Sequence, residues 1–476
     1  MLEKIFKLKE NGTDVKTEVI AGLTTFMTMA YIIALNPNLL TGFTANGGQE
    51  LWNAVFLATC IASAFGTILM AFIANKPFAM SAGMGLNSFF AVVVANIATI
   101  AGVSYLEGFR AGLCIILIEG IVFIVLSALN VREKIVQAIP LGVRLGISPA
   151  IGLMLLNIGF GSNAGVYSET GGPFYAMANF FGSLTASYAK DTMGSGYPVM
   201  VLTVITMFVG LFTIVALDHK KVKGSVLYGI LTGSVIYWAG EYFVLHINPF
   251  ASLATASWLP PFKDMAALTL FKFDFNVLKS LGMFTVVTLV LTFCIIDMFD
   301  TIGTLVGTAS RANMLDENGN MPNMKEALLS DACGTVCGAL TGTSTITTFV
   351  ESASGVEAGG RTGLTSLVTG LIFLACMFIS PIAAIIPAAA TSSALIYVGI
   401  LMLQGLKNID FDDISVCVPV FIMLVAMPIS GSIGHGIGLG LIAYTIIKFI
   451  TGKAKEVSPL TLVLSILFLV KFFFAF

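Results

Sequence analysis

Six carboxylates lie within or at the edges of the apolar stretches of this chain: Glu119, Asp297, Asp300, Asp331, Glu351 and Glu357. Four of them fall in two neighbouring segments, around 294–304 and 347–357. A carboxylate inside a lipid bilayer costs about 2.5–3.5 kcal/mol on insertion scales, so such residues usually mark a substrate path or a proton path. These side chains therefore predict a transporter and indicate where its site lies.

The composition is typical of a membrane protein. Of the 476 residues, 57% are hydrophobic and 11% are charged, whereas a soluble domain carries about 25% charged residues. The mean hydropathy is +0.94. The net charge of −2 argues against a nucleic-acid partner. The three histidines are scattered along the chain and predict no metal site, and we expect no cofactor.

Apolar segments of roughly 20 residues, the length that crosses a bilayer, recur along the chain. Most are strongly apolar, while 325–342 and the Gly-rich stretches 78–98 and 345–360 are weaker. Together they predict fourteen spans, at about 17–40, 52–74, 78–98, 110–129, 134–159, 198–217, 226–245, 280–307, 325–342, 345–360, 364–386, 390–406, 412–429 and 433–450. A further apolar run, 457–476, has no place in this pattern, and whether it crosses the membrane is left open.

The placement of positive charge orients these spans. Lysine and arginine concentrate in cytoplasmic loops, and a basic N-terminus on the inside puts most of them there only if both Gly-rich stretches count as spans. We therefore expect a cytoplasmic N-terminus over 1–16 and an extracellular connector over 247–279. No cleavage site follows the N-terminus, so no removable signal peptide is expected. The protein is expected in the cell membrane, here the cytoplasmic membrane of a bacterium.

Short matches between the two halves predict an internal repeat. Pro140 and Gly152 recur as Pro387 and Gly399, and a second set recurs as well: Gly229, Gly233 and Tyr237 with Gly436, Gly440 and Tyr444. With seven spans in each half, the second half starts on the opposite side of the membrane, so the repeat is inverted. The repeats are expected over 17–246 and 280–451, followed by an apolar tail over 452–476. Matches this short also occur by chance.

The third and tenth spans are the corresponding Gly-rich segments of the two halves. Both are short and rich in small and polar residues, and irregular backbone at membrane depth is tolerated only where it lines a cavity or is buried in protein. Paired segments of this kind point to a transporter's binding site. Close helix packing is the alternative, because small residues also let helices approach. It explains the glycines but leaves Glu351 in the middle of a span without a reason, so we favour the cavity.

Four runs in the chain resemble one family. The runs are TTFMTMAYII at 24–33, SAGMGLN at 81–87, DMFDTIGT at 297–304 and FVESASG at 349–355. They are similar to the AzgA-like purine permeases, a branch of the nucleobase–cation symporters, and the resemblance extends from about residue 11 to about 455. It implies an all-α polytopic membrane protein with fourteen transmembrane segments in a seven-plus-seven inverted repeat, as in the uracil permease, with short strands in spans three and ten.

The resemblance also implies a function and a division of the fold. Members of this branch carry adenine, guanine or hypoxanthine by proton symport, with the nucleobase between the strand ends and the eighth span. Spans one to four and eight to eleven would form a core domain, and spans five to seven and twelve to fourteen a gate domain. Relatives with this fold often dimerise through the gate, so a homodimer is possible, although the sequence itself leaves the oligomeric state open.

The chemistry of a purine suggests roles for the matching residues. A carboxylate accepts two hydrogen bonds from adjacent donors on the purine edge, and such charge-assisted bonds are roughly twice as strong as neutral ones. We expect Glu351 to take this role and Phe349, two residues earlier in the presumed strand, to stack on the base from the same face. The acceptor edge would meet backbone N–H groups at Gly83, Gly85 and Gly355.

Two further positions complete the substrate candidates. Asn87 matches the family's third-span position and is either a base contact or a clamp at the strand end. Ala30, in the first of the four runs, is added to the substrate-binding set.

Proton coupling is assigned to carboxylates in the eighth and tenth spans. Asp297 and Asp300 lie three residues apart and so near one helix face. The family pattern points to Asp300, which we expect both to help bind the substrate and to carry the proton. Asp297 is then a proton partner or a hydrogen-bonded structural acid, and Glu351 is the third candidate.

The sequence leaves two rival functions open. One is a carrier of an inorganic anion or of another nucleobase, such as uracil or xanthine, on the same fold. The other, more remote, is an intramembrane enzyme, but the chain shows no nucleophile elbow, no His-Glu zinc motif and no phosphate loop.

Overall fold

The structure is a computed structural model that describes residues 2–42, 45–129, 140–163, 196–222, 224–254, 256–311, 314, 321–430 and 433–474. Within these ranges the regular elements are helices and two three-residue strands. Helices suit a bilayer because their backbone N–H and C=O groups pair within the segment, where lipid offers no partner.

The first half of the chain contains these elements in order: α1 Leu2–Phe6, α2 Val15–Met29, α3 Ile32–Leu40, α4 Gly48–Leu69, β1 Met80–Ala82, α5 Met84–Ala101, α6 Tyr105–Ala128, α7 Leu141–Ile158, α8 Tyr197–His219 and α9 Ser225–Phe243. π-helical turns at Met70–Ala74 and Gly159–Asn163 extend α4 and α7.

The second half contains the following elements: α10 Phe262–Leu268, α11 Phe275–Ser280, α12 Met283–Arg311, α13 Met324–Thr341, β2 Ile346–Thr348, α14 Ser352–Glu357, α15 Gly363–Ala375, α16 Ser380–Ala384, α17 Ala388–Leu403, α18 Ile414–Ser430, α19 Ile433–Ile450 and α20 Pro459–Phe474. With 29 residues, α12 is about 43 Å long, more than the thickness of the hydrocarbon core.

The helices occupy the predicted spans. Nine segments of the described chain are long and apolar enough to cross a membrane. The remaining predicted spans coincide with α9, α13, α18 and α19 and with the β2–α14 segment. The two strands lie in the third and tenth spans, where they were predicted.

The first span departs from the expected single helix. It consists of α2 and α3, which are separated by Ala30 and Tyr31. Both residues keep φ near −56° and ψ near −25°, values closer to a 3₁₀ turn than to an α-helix. The span is therefore wound more tightly at its centre, without reversing direction.

Residues related by the repeat touch their own counterparts. The β1 and β2 strands pair antiparallel, with Ser81 opposite Thr347. Gly152 of α7 and Gly399 of α17 are also reciprocal, because a Cβ on either would lie 2.7 Å from the carbonyl oxygen of the other. Such mutual contacts are expected where a two-fold axis relates two halves. The short sequence matches at Pro140–Gly152 and Pro387–Gly399 therefore mark two helices that pack at their equivalent points.

Helix packing produces two groups of neighbours. Among the spans predicted for the core, α2 and α4 pack on α15, and α4 and α6 pack on α13. Among those predicted for the gate, α7 packs on α17 and α18, α8 on α9, and α18 on α19. The division into a core and a gate domain remains a prediction.

Within the apolar run 457–476, Pro459–Phe474 form the helix α20, which packs on α19 and α12. Ser465 of α20 and Thr445 of α19 share a hydrogen bond of 2.8 Å between their hydroxyl oxygens. A buried hydroxyl pair of this kind fixes the two helices in register. The run is thus part of the helical bundle and not a detached tail.

Glu18 joins the start of α2 to the start of α15. Its fully buried carboxylate accepts backbone N–H bonds from Arg361 (2.8 Å), Thr362 (3.2 Å) and Thr365 (3.1 Å) and the hydroxyl of Thr365 (2.7 Å). The first N–H groups of a helix have no partner within it, so a carboxylate at this end satisfies them.

Candidate functional site

The two strands pair antiparallel inside the bundle, where all their residues are buried, and the proposed site is built around them. A strand pair inside a membrane leaves its outer edges unpaired, and these edges need partners from neighbouring helices. For Met80, both partners come from the hydroxyl of Thr67 on α4. The hydroxyl donates to the Met80 carbonyl at 3.0 Å and accepts the Met80 N–H at 2.9 Å. Thr335 of α13 donates to the Ile346 carbonyl at 3.0 Å. Threonine hydroxyls of neighbouring apolar helices thus satisfy backbone groups at the outer edges of the strands.

Glu351 lies just after β2, in the turn that leads into α14. The Tyr31 hydroxyl donates to its Oε1 at 2.6 Å, a length typical of a charge-assisted bond. Within the described part of the chain, this is the one hydrogen bond that another residue's side chain makes to the Glu351 carboxylate. Glu351 is half-buried and Val350 beside it is 50% exposed, so this end of the strand pair is open.

Asp300 of α12 lies at the opposite end of the strand pair. Its Oδ2 lies 3.6 Å from the position that a Cβ would take on Gly83, the residue between β1 and α5. The carboxylate therefore faces the junction where the first strand becomes a helix. The structure thus brings Asp300 to the end of one strand and Glu351 to the end of the other.

Asp297 lies one turn away in a cluster of hydroxyl groups. The Thr301 hydroxyl oxygen is 3.0 Å from Oδ1 of Asp297, 3.0 Å from Oδ1 of Asp331 and 2.7 Å from the Thr347 hydroxyl. Asp297 and Asp331 are fully buried, whereas Asp300 is only partly so. The cluster ties α12 and α13 to the middle of β2, behind the strand ends.

Asn87 holds the beginning of α5. Its Nδ2 donates to the Ala82 carbonyl at 3.1 Å, and its Oδ1 accepts from the Ser344 hydroxyl. Both ends of this fully buried amide are occupied by groups at the strand ends. This geometry matches the clamp, one of the two roles expected for Asn87.

Two details of the sequence interpretation are wrong at the level of local geometry. Strand β2 ends at Thr348, and Ser352 N bonds to Phe349 O at 3.1 Å, so Phe349 and Glu351 do not share one strand face. Gly83 donates its N–H to Thr345 O at 3.1 Å, which extends the strand pairing and uses that donor. Gly355 packs directly on Thr25 and so serves helix contact. Phe349 is 5% exposed beside the site.

Gly85 and Ala30 lie at the edges of this region. A Cβ on Gly85 would lie 2.9 Å from Cγ2 of Ile151 on α7, so the absence of a side chain lets α5 and α7 meet next to the strand end. Ala30 is half-buried at the junction of α2 and α3, and its carbonyl accepts the Ile33 N–H at 3.2 Å.

A hollow of about 500 Å³ lies elsewhere, near the end of α9. Its lining is almost entirely apolar and includes Trp238, Tyr242 and Phe250. It lacks the convergent polar groups that orient a small polar ligand. Among the described residues no group of three His, Cys, Asp or Glu side chains is arranged to hold a metal ion.

Tyr31 and Thr301 contact two of the predicted carboxylates, Glu351 and Asp297, but were not predicted from the sequence. Both stand inside runs that resemble the purine permeases, yet a tyrosine and a threonine in apolar helices carry no signal of their own. The sequence likewise gave no indication that Thr67 and Thr335 bond to the strands.

Comparison with known proteins places these features in context. The family model Xan_ur_permease, described as a permease family, matches residues 16–434. The adenine permease AdeP of Escherichia coli is 36% identical over 476 residues, covering 100% of this chain and 96% of AdeP. The guanine/hypoxanthine permease PbuO of Bacillus subtilis is 37% identical over 473 residues, covering 98% of this chain and 100% of PbuO.

A solved structure shows the fold. The transmembrane domain of the cyanobacterial bicarbonate transporter BicA superposes with a TM-score of 0.60 at 14% identity, covering 88% of this chain and 97% of that domain. It has the seven-plus-seven inverted-repeat fold. The predicted fold class, with its fourteen spans and two short strands, is confirmed, and the likeness to permeases confirms the suspected family.

Proposed function

Because this chain belongs to the permease family that the Xan_ur_permease model describes, we propose that it is a secondary active transporter that imports purine nucleobases by proton symport. The substrates would be guanine, hypoxanthine or adenine, as the names of PbuO and AdeP suggest for similar proteins. The protein is a transporter and not an enzyme, and we propose that it works in the cell membrane with its N-terminus on the cytoplasmic side.

The observation that carries the proposal is the half-occupied carboxylate of Glu351. Tyr31 donates to Oε1, no other described side chain donates to this carboxylate, and the neighbouring Val350 is exposed. A purine edge presents N–H donors, and a carboxylate at a partly dry site accepts them strongly. Asp300 lies at the opposite end of the strand pair and interacts electrostatically with Glu351, and we assign to it a second contact with the base and the proton that travels with it.

The carboxylates also favour a base over an inorganic anion. A carrier of bicarbonate or sulfate needs a positive site, whereas the polar groups that converge here are Glu351, Asp300 and, behind them, Asp297 and Asp331. Phe349, Gly85 and Ala30 stay in the substrate-binding proposal as the apolar and small neighbours of these groups, and Asn87 stays in it as the amide that clamps the strand ends beside them.

Access to a site at mid-membrane requires movement. We assign the movement to the core spans one to four and eight to eleven against the gate spans five to seven and twelve to fourteen. The contact between Gly85 and Ile151 supports this assignment, because it places a gate helix directly on the strand end. Alternation of such contacts exposes a fixed site to each side in turn.

Replacement of one carboxylate tests the substrate role. Glu351→Gln keeps the size and removes the charge, so a charge-assisted bond to the base becomes neutral or mismatched. The ligand is whichever of hypoxanthine, guanine and adenine the parent binds best. We expect the variant to bind it with about 1.5–3 kcal/mol less binding free energy. Binding is measured calorimetrically on the purified protein in detergent.

Glu107→Gln is the matched control, since Glu107 caps α6 by bonding to the Ser104 N–H and hydroxyl, away from the strands. Normal purine affinity in Glu351→Gln would remove Glu351 from the site. Uptake of labelled sulfate in place of labelled purine by the parent would overturn the substrate class itself.

A further inference from the structure

Tyr31 lies at the 3₁₀-like centre of the first span and reaches across to the second half of the chain. Its hydroxyl donates to Oε1 of Glu351 at 2.6 Å, and its side chain is 2% exposed. The junction is also joined to Glu351 through the backbone, because the Thr28 hydroxyl lies 3.4 Å from the Glu351 carbonyl oxygen. A 3₁₀-like segment within a helix often marks a functional hinge.

We propose that Tyr31 is a positioning residue for purine binding, which fixes the Glu351 carboxylate so that Oε2 faces the base. The proposal rests on the proposed function, in which Glu351 receives the purine edge. Tyr31 itself is not in the substrate-binding set, and its effect passes through Glu351.

The geometry gives the reason for a phenol at this position. A tyrosine hydroxyl has one proton to donate, and here it points at a carboxylate oxygen that would otherwise compete with Oε2 for the base. A glutamate has three rotatable side-chain bonds, and immobilising a side chain of this kind on binding costs conformational entropy. A bond already made in the empty carrier removes part of that cost before the purine arrives.

The charged form of Glu351 is the one that accepts N–H groups from a purine. Asp300 on α12 is near enough to interact electrostatically with this carboxylate and with Asp331. Tyr31 is thus a neutral donor bonded to one of a group of acids.

A double-mutant cycle separates positioning from packing. Tyr31→Phe keeps the ring and removes only the hydroxyl, and we expect the Kd for purine to rise about fivefold to tenfold, within the range of coupling between contacting residues. In the Glu351→Gln background the same change should alter Kd less than twofold, because the carboxylate it positions is gone. The Vmax of counterflow exchange should change less than KM, since the hydroxyl acts on binding.

Tyr105→Phe is the matched control. Its hydroxyl donates to the Leu40 carbonyl at 2.6 Å, a bond of equal length that does not involve Glu351. We expect no more than a twofold change in Kd there. Incorporation of 3-fluorotyrosine at position 31 keeps the ring and the donor, and should restore parental affinity even where the phenylalanine variant folds poorly.

The possible results are distinguishable. If Glu351→Gln weakens binding but Tyr31→Phe weakens it by the same factor in both backgrounds, Tyr31 acts independently of Glu351 and the inference is wrong while the proposed function stands. If Glu351→Gln leaves binding unchanged, the substrate role of Glu351 fails first. Parental affinity in Tyr31→Phe would also overturn the inference.

Discussion

At the scale of single residues, the three coupling candidates differ in their surroundings. Asp297 is fully buried and bonded to Thr301, Asp300 is half-buried and faces the strand end at Gly83, and Glu351 is half-buried and bonded to Tyr31. A group that exchanges protons with water needs a path to it, while a group enclosed by hydroxyls serves structure. These surroundings favour Asp300 as the carrier of the proton and Asp297 as the structural acid.

Substitution of each acid separates the two roles. Asp300→Asn should abolish accumulation of labelled purine against a gradient and preserve counterflow exchange, because exchange needs only that the loaded carrier changes sides. Asp297→Asn should reduce both rates modestly. Both are measured in proteoliposomes with an imposed pH gradient, with a protonophore as the control. Normal accumulation by Asp300→Asn together with an inactive Asp297→Asn would exchange the two assignments.

Residue type was enough to find the carboxylates, because an acid in an apolar span is costly and therefore informative. It was not enough to find Tyr31, which bonds to a residue 320 positions away and is indistinguishable in sequence from a tyrosine that packs in a core. The sequence also placed Phe349 and Glu351 on one strand face, since it gave no sign that β2 ends at Thr348.

At the scale of elements, the ends of broken spans need partners that an unbroken helix does not. Glu18 provides them for α15 with three backbone N–H bonds. Thr362 adds a side-chain cap to the Leu364 N–H at 3.3 Å. A short stretch between two spans is thereby held as firmly as the spans themselves.

Glu18→Ala tests this contribution to stability. The change leaves several buried N–H groups without an acceptor, and we expect unfolding to become easier by about 1.5–3 kcal/mol, the range for hydrogen bonds to a charged group. Thermal unfolding in detergent is the measurement, and a lower midpoint is the expected result. Glu10→Ala is the control, because Glu10 is exposed and makes a surface ion pair with Lys7. Equal midpoints for the two variants would contradict the role of Glu18.

Elements were predictable where the sequence pattern extends over many residues, and were missed where the pattern covers only a few residues. Hydropathy located the spans, and the resemblance located the strands. The division of the first span escaped notice because Ala30 and Tyr31 continue the apolar run without Gly or Pro. Helix propensity alone cannot distinguish α-helical from 3₁₀-like turns at two such residues.

At the scale of the whole molecule, contacts between the predicted core and gate occur away from the axis as well as at the site. Thr292 of α12 and Gly434 of α19 face each other, and a Cβ on Gly434 would lie 3.7 Å from Cβ of Thr292. This separation is close to the mean for a disulfide. The pair therefore offers a place to lock the two proposed domains together.

Thr292→Cys with Gly434→Cys should block transport when oxidised and restore it on reduction, since core and gate must separate here. The seven native cysteines are free thiols and would first be replaced. Uptake into proteoliposomes is followed before and after reduction, alongside the extent of crosslinking. Undiminished transport with the crosslink complete would exclude movement at this contact.

A crosslink within the proposed gate is the matched control. Gly146 of α7 lies opposite Val420 of α18, with 3.4 Å between the Cβ of Val420 and a Cβ placed on Gly146. Cysteines at these two positions should crosslink without stopping transport, because both helices would move together. Loss of transport there would show that the gate itself deforms.

The strand pair has a consequence for how the protein is made. Ala79 and Ser352, which bond beside the strands, are 273 positions apart, and β1 has no strand partner until the second half of the chain has entered the membrane. During synthesis the first seven spans must therefore wait with an unpaired segment at bilayer depth, where unsatisfied backbone groups cost several kcal/mol each. Insertion of the tenth span closes this gap, so the strand pair is completed late in biogenesis.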